Sequence, residues 1–430
     1  MVVSAHAELP LPPTPVADPQ AVRHFVDHAL DRARALGAEL PCPGEGRTAA
    51  LWRELSALGR TDLAYARIIE PHLDALAILR QAGREDLLTP RDTWAVWAAE
   101  GPGEPLLATP TPPGRDRAPG QDHTTHQRSA VGQSCAPGQN GDSAASSSTW
   151  TLSGTKPWCS LADSVTRAVV TAHVTDEDGE RTGHRRAFVV STDHPGFRPA
   201  PVAQWTSHGL AEVVTVPVTF EDVPAEPLGA DEWYLTRPGF AWGGMGVAAV
   251  WLGGAQAVAD LLWRQLRHPR RPVDDAAHMA LGQLDLTLGA ARAVLERAAA
   301  AVDGGDADGQ AGAAWALRVR RTVADAAETV IRVVSRATGP GPLTGDPEHI
   351  RRVESLQVYI RQDHAERDTA ALGRALLALA EDAEQEGQAA PARSRPQTTG
   401  TGTAGAGHPD PGRTEGVPPT GPAHPEDTPW

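Results

Sequence analysis

Trp150-Thr151-Leu152-Ser153-Gly154-Thr155-Lys156-Pro157-Trp158-Cys159-Ser160 is the stretch on which the reading of this chain depends. Thr149 to Leu152 alternate polar and apolar, as a half-buried strand does, and Ser153-Gly154 is a turn signal. Lys156 to Ser160 is expected to run back as the second strand of a hairpin, with Pro157 confined to an edge or a bulge. Trp158 and Ser160 stand two residues apart, so strand periodicity puts an indole and a hydroxyl on one face. A flat ring beside a hydrogen-bonding group suits a planar heteroaromatic ligand. The competing reading is a core tryptophan, since aromatic strand residues usually pack.

Outward from this stretch the chain divides by pattern. On the N-terminal side, Asp18-Pro19 is a helix start, with Asp as N-cap and Pro in the first turn. Val22, Phe25, Val26, Ala29, Leu30 and Ala33 recur at three and four, which buries one helix face, and Gly37 is expected to end it. Thr48 opens a second helix. A third begins near Thr61 and is expected to break or kink at Pro71. A strand follows over Thr93 to Ala98. Beyond the central stretch, β-branched runs at Val165 to Val174, Arg186 to Ser191 and Val213 to Phe220 fit an antiparallel barrel or sandwich. Helical periodicity resumes at Gly239 in four segments, 240–266, 274–302, 311–338 and 347–379, which read as an antiparallel four-helix bundle. The division is therefore a leader over 1–17, an α-helical domain over 18–90, a β-domain over 91–230 with a biased insertion at 109–148, the bundle over 231–382, and a tail over 383–430. The leader, insertion and tail have the composition of disordered segments.

Composition narrows the function classes. The 430 residues carry a formal net charge of −15, which disfavours nucleic-acid partners because phosphate contacts need clustered Lys and Arg. Cys42, Cys135 and Cys159 lie far apart without metal-ligand spacing, so neither a disulfide framework nor a metal site is expected. No signal peptide is read at the N-terminus, and no stretch approaches the uninterrupted apolar length of a membrane span, so a cytoplasmic protein with no membrane partner is the expectation. A dinucleotide-binding Rossmann unit is rejected. There is no strand–GxGxxG–helix arrangement, and Gly243-Gly244-Met245-Gly246 lies inside a helical pattern.

The pattern W-x-L-S-G-x-K-x-W-x-S from Trp150 to Ser160 resembles the central β-domain signature of the acyl-CoA dehydrogenase family. Phe220-Glu221-Asp222-Val223-Pro224, read as ending a strand, resembles a second family stretch at the right distance. The resemblance implies an α+β fold: an N-terminal helical domain, a middle antiparallel β-barrel and a C-terminal four-helix bundle. It implies FAD as cofactor, with Trp158 near the isoalloxazine, Ser160 hydrogen-bonded to flavin N5, and Trp97 lining the flavin or packing. Arg270 and the Gly339-Pro340-Gly341 turn match places that reach the cofactor across a subunit interface, so a homodimer or homotetramer is implied.

The implied reaction is dehydrogenation of an acyl-CoA or other acyl thioester at its α and β carbons, with a carboxylate taking the α-proton. In the family that carboxylate stands on the first bundle helix, where this chain has Gly243 or Gly244, or after the last long connection. There Glu366 is the nearest candidate, with Asp363 and Asp368 as rivals. The same residues also fit a salt-bridged helix face. His364 offers an alternative, because monooxygenases of this superfamily use a histidine in this region and histidine titrates near neutrality. A third reading is a non-catalytic member that binds an acyl group or a partner. It is motivated by the Ala99-to-Glu104 turn, which keeps Glu100 but lacks the family's Thr, Ser and Asp.

Overall fold

A computed structural model describes residues 18–111, 150–269 and 272–389. The N-terminal part is helical: α1 Pro19–Glu39, α2 Thr48–Thr61 and α3 Leu63–Gln81. Asp18 caps α1, its carboxylate accepting the Gln20 amide at 2.9 Å. Gly37 does not end α1, which continues to Glu39. The glycine instead lets α3 approach, since a Cβ there would lie 2.5 Å from Leu76 Cδ1. Nor does Pro71 break α3, which runs through it unbroken. The proline deprives only the Arg67 carbonyl of an amide partner, and its ring faces a cavity.

The middle of the chain forms one seven-stranded sheet: β1 Trp94–Trp97, β2 Leu107–Pro110, β3 Trp150–Ser160, β4 Arg167–Thr175, β5 Arg181–Ser191, β6 Phe197–Pro199 and β7 Thr215–Leu228. Pairings run from β4 through β2, β3, β7 and β5 and return to β4. The sheet is not purely antiparallel, because β1 and β2 both pair parallel to β4. The hairpin expected at Ser153-Gly154 does not form. β3 is a single strand laid antiparallel on β7, and the local signals are absorbed as register shifts between Leu152 and Gly154 and between Lys156 and Cys159. Opposite the first shift, Asp222 takes a φ of 51° and exchanges hydrogen bonds with the Ser153 hydroxyl. β7 therefore bends and runs on to Leu228 rather than ending near Pro224.

A short helix α4, Trp233–Thr236, leads into α5 Pro238–Arg267, α6 Asp275–Gly304 and α7 Gly309–Thr338. After α8, Pro342–Gly345, the expected fourth long helix is split into α9 Pro347–Tyr359 and α10 Glu366–Ala389. A 3-10 turn over Ile360–Gln362 and a φ of 48° at Ala365 interrupt it. α5 is long and apolar enough to cross a membrane by length and composition, contrary to the sequence expectation. However, 94% of its apolar window is buried inside the fold, which is the setting of a central core helix. Its glycines set its position. A Cβ at Gly253 would lie 1.9 Å from the Ser56 carbonyl oxygen, and one at Gly59 would lie 2.3 Å from that of Val250. α2 and α5 thus touch backbone to backbone.

Candidate active site

The second register shift shapes the end of β3. Pro157 lies inside it, where its missing N–H breaks no ladder bond. The shift also defeats the alternation that would have put Trp158 and Ser160 on one face. Trp158 takes a φ of 58° and is 58% exposed, Cys159 is fully buried, and Ser160 is 8% exposed. A bulky residue at positive φ is a true outlier, and such strain concentrates at functional sites. Leu161 repeats it at φ 61°. The Ser160 hydroxyl lies 3.0 Å from Thr215 Oγ1, and Arg67 of α3 donates to it at 3.4 Å. Trp97 takes the packing alternative. Its ring is buried against Phe197, with centroids 5.7 Å apart, and its Nε1 donates to the Ser160 carbonyl at 3.0 Å. Its neighbours Val96 and Ala98 point the other way, as strand alternation requires.

These neighbours open onto a cavity of about 850 Å³ between α3, β1, α4, α5, α7 and the α9–α10 break. Its walls are largely apolar, from Val96, Ala98, Phe240, Val247 and Leu317. One side is charged. Arg67, Glu70 and Asp74 of α3 line it at spacings of three and four, together with Arg237 of α5's N-cap and Arg320 of α7. Arg67 donates to Glu70 Oε2 at 3.3 Å and lies 5.7 Å from the Tyr359 ring centroid. Burial pushes the Glu70 carboxyl up to about 7; Arg67 opposes this and the charge of Asp74 adds to it. Burial also raises Asp74, against the pull of Arg237 and Arg67. Arg320 donates to the carbonyls of Gly244 and Gln362 at 3.1 and 2.7 Å, which ties α5 and α7 to the break before α10. The Tyr359 hydroxyl is buried beside Glu70, close enough to bias its titration but without hydrogen-bond geometry to it or to any described group.

The other sequence-predicted residues scatter. His364 lines the cavity from the α9–α10 break, its ring 3.4 Å from Asp368. Glu366 does not line it. It is exposed in the first turn of α10 and faces solvent rather than the cavity. Asp363 is buried but committed to Arg321 and to the Ala365 amide. Gly339 ends α7 and Gly341 precedes α8; both face open space and neither lines the cavity. Arg270 lies outside the described residues, as do 112–149, most of the biased insertion. Glu100 of the turn after β1 pairs with the buried ammonium of Lys156 at 2.9 Å.

Sequence reasoning missed Arg67, Glu70, Asp74 and Arg320. The signal was present on α3. Charged residues at 67, 70 and 74 form one stripe on an otherwise mostly apolar helix, with a proline inside the stripe.

No family model matches the chain, and no curated protein is similar to it in sequence. Solved structures are similar in fold. Butyryl-CoA dehydrogenase from Megasphaera elsdenii superposes with a TM-score of 0.62 at 16% identity, over 86% of this chain and 94% of that one. Nitrososynthase from Micromonospora carbonacea var. africana gives 0.60 at 20% identity, over 85% and 88%. Dibenzothiophene monooxygenase TdsC from Paenibacillus sp. A11-2 gives 0.57 at 17% identity, over 83% and 89%. Three helices, a mixed sheet entered through the strained end of β3, and a closing group of long helices therefore make up, in this chain, the acyl-CoA dehydrogenase fold.

Proposed function

We propose that the chain is a flavin-dependent oxidoreductase that dehydrogenates an acyl thioester between its α and β carbons. The observation that carries this reading is the link from the end of β3 into the cavity. Ser160 Oγ, Arg67 and Glu70 form one chain of contacts, and a second carboxylate, the half-buried Asp74, lies on the same helix face. A proton acceptor thus stands beside the strand end that resembles a flavin-binding edge. The residues there suit a flavin. The Trp158 indole is uncovered beside the Gly101 turn, Ser160 offers a hydroxyl, and the Tyr359 hydroxyl is an orphaned buried polar group. A bound flavin would supply two-electron acceptance of a hydride. The chain itself would hold the thioester in a largely apolar cavity, orient it with Arg67 and Ser160, and take the α-proton on a carboxylate whose proton affinity burial has raised.

FAD is the form the resemblance implies; TdsC has been solved with FMN. Both belong in the test, as do the homodimer and homotetramer that the resemblance implies. Exposed Met279 and Leu286 on α6 are available to such an interface. The purified protein is expected to bind one flavin and turn yellow, and to bleach on anaerobic addition of an acyl-CoA. A protein that stays colourless with both flavins supports the non-catalytic alternative.

A second reading, a flavin monooxygenase, is favoured by His364 in the cavity wall and by the lack of an acidic side chain at Gly243 and Gly244. Oxygen from labelled O2 appearing in the product, with no bleaching by acyl-CoA, would select it.

A further inference from the structure

Building on that reading, we infer that Asp74 of α3 is the group that takes the α-proton, occupying from the opposite wall the space that a side chain on α5 would fill. The position that resembles the family's base on α5 is Gly243 or Gly244. A Cβ on Gly243 would lie 2.9 Å from Asp74 Oδ1, 3.5 Å from its Cγ and 3.7 Å from Oδ2. The carboxylate therefore sits where the first atoms of a residue-243 side chain would go. The acid absent from α5 is present in space, delivered by a helix from the N-terminal part of the chain.

The other carboxylates around the cavity are committed elsewhere or too exposed. Glu70 holds the Arg67 guanidinium. Asp363 holds Arg321 through one oxygen and does not line the cavity, Asp368 accepts the His364 amide, and Glu366 is exposed. Neither oxygen of Asp74 accepts a hydrogen bond from a described residue, and its side chain lines the cavity. A second observation points to a ligand at the same wall. Arg237, only 6% exposed and also lining the cavity, leaves its Nε without a partner. An unpaired buried donor beside an unpaired carboxylate is costly unless a polar group completes both. A thioester does so, because its α-hydrogen can go to the carboxylate and its carbonyl oxygen can accept from a guanidinium. In the step, the Cα–H bond breaks and an O–H bond forms on Asp74. The C–H electron pair stays on the thioester as its enolate, with charge on the carbonyl oxygen. Arg67, Glu70, Arg237 and Tyr234 are the titratable neighbours that set the affinity of Asp74 for the proton.

The test follows proton abstraction alone, as deuterium entering C2 of acyl-CoAs of graded chain length in D2O with the flavin-loaded protein. Wild type is expected to exchange. Asp74→Asn should lose exchange by about 100-fold or more, and adding Gly243→Glu to it should restore a measurable part. Glu70→Gln, which frees Arg67, should lower exchange by less than Asp74→Asn does and shift its pH profile. Asp74→Asn exchanging at the wild-type rate, or exchange lost only in Glu70→Gln, overturns the assignment. If no acyl-CoA exchanges in wild type, the thioester reading itself fails. Thermal melting still decides the spatial claim. Gly243→Glu alone should lower the melting temperature and Asp74→Gly should relieve that loss; a double variant no more stable than Gly243→Glu overturns it.

Discussion

Two groups of buried charge hold this molecule's parts together, and they are built differently. In one, Arg351 of α9 reaches Asp62 at 2.9 Å and Glu212 at 2.5 Å, joining the start of α3, the segment before β7 and the last helices. Burial alone would lower the Arg351 pKa, but the two carboxylates overcome it and hold the guanidinium firmly charged. Asp62 also caps α3 through the Tyr65 amide at 2.9 Å. In the other group, around the cavity, Glu70 shares one long contact with Arg67, Asp74 has no hydrogen bond from a described residue, and Tyr359 and Arg237 each leave a polar atom unpaired. The first group is committed to geometry. The second keeps its valences open, and burial raises both of its carboxyls, Glu70 to about 7, which is the condition for moving a proton rather than fixing a helix.

The comparison breaks most readily at Arg351. Arg351→Met strands two carboxylates in a poorly solvated place and should cost about 3–5 kcal/mol, read from denaturant unfolding. A loss near zero would show that this group is not structural.

Next is the pH dependence of α3, where Glu70 and His72 face opposite sides. Glu70 has its carboxyl raised from an ordinary 4.5 to about 7, so its contribution to stability is full below 4.5 and is lost as pH rises to 7. His72 is buried with Nδ1 unpartnered, and burial lowers it from 6.5 to about 4. Its contribution is full above 6.5 and is lost as pH falls to 4. Each limb is worth about 3 kcal/mol at most, and between pH 4.5 and 6.5 the two slopes oppose each other. Glu70→Gln should therefore expose a protein that weakens in acid, and His72→Leu one that weakens toward neutral pH. Unchanged slopes in both variants would remove burial as the cause.

Gly253→Ala, which drives a methyl into the Ser56 carbonyl, should cost about 1–3 kcal/mol and loosen α2 from α5 without touching either charge group. Trp158→Gly should change stability by less than about 1 kcal/mol, since relief of a positive φ offsets glycine's entropy. It should nevertheless weaken flavin retention in equilibrium dialysis. A large loss of stability with retention unchanged would return Trp158 to a packing role.

Legibility in the sequence followed the range of the forces involved. Asp18 and Pro19 marked the start of α1 because capping acts within one turn; Thr48 does open α2, but without a side-chain cap from Arg47. The motif from Trp150 to Ser160 marked the strand beside the cavity. Its hairpin reading failed because Gly154 and Pro157 carry the same signal for a turn as for a bulge, and pairing with β7 along the whole strand decided between them. The role of Trp97 and the exposure of Glu366 were illegible for a related reason. Which face of a four-residue strand meets the cavity, and whether a helical charge is exposed, depend on neighbours distant in sequence.

By itself the sequence determined the succession of helices, strands and helices and the family that the central motif resembles, because hydrophobic period and turn chemistry are local. Only the tertiary structure decided that a stripe on α3 faces a glycine on α5, so that Asp74 stands where α5 has no acid. The physical reason is that a cavity's chemistry belongs to whichever walls the packing brings together, and backbone contacts such as that between Gly253 and Ser56 set how closely those walls approach.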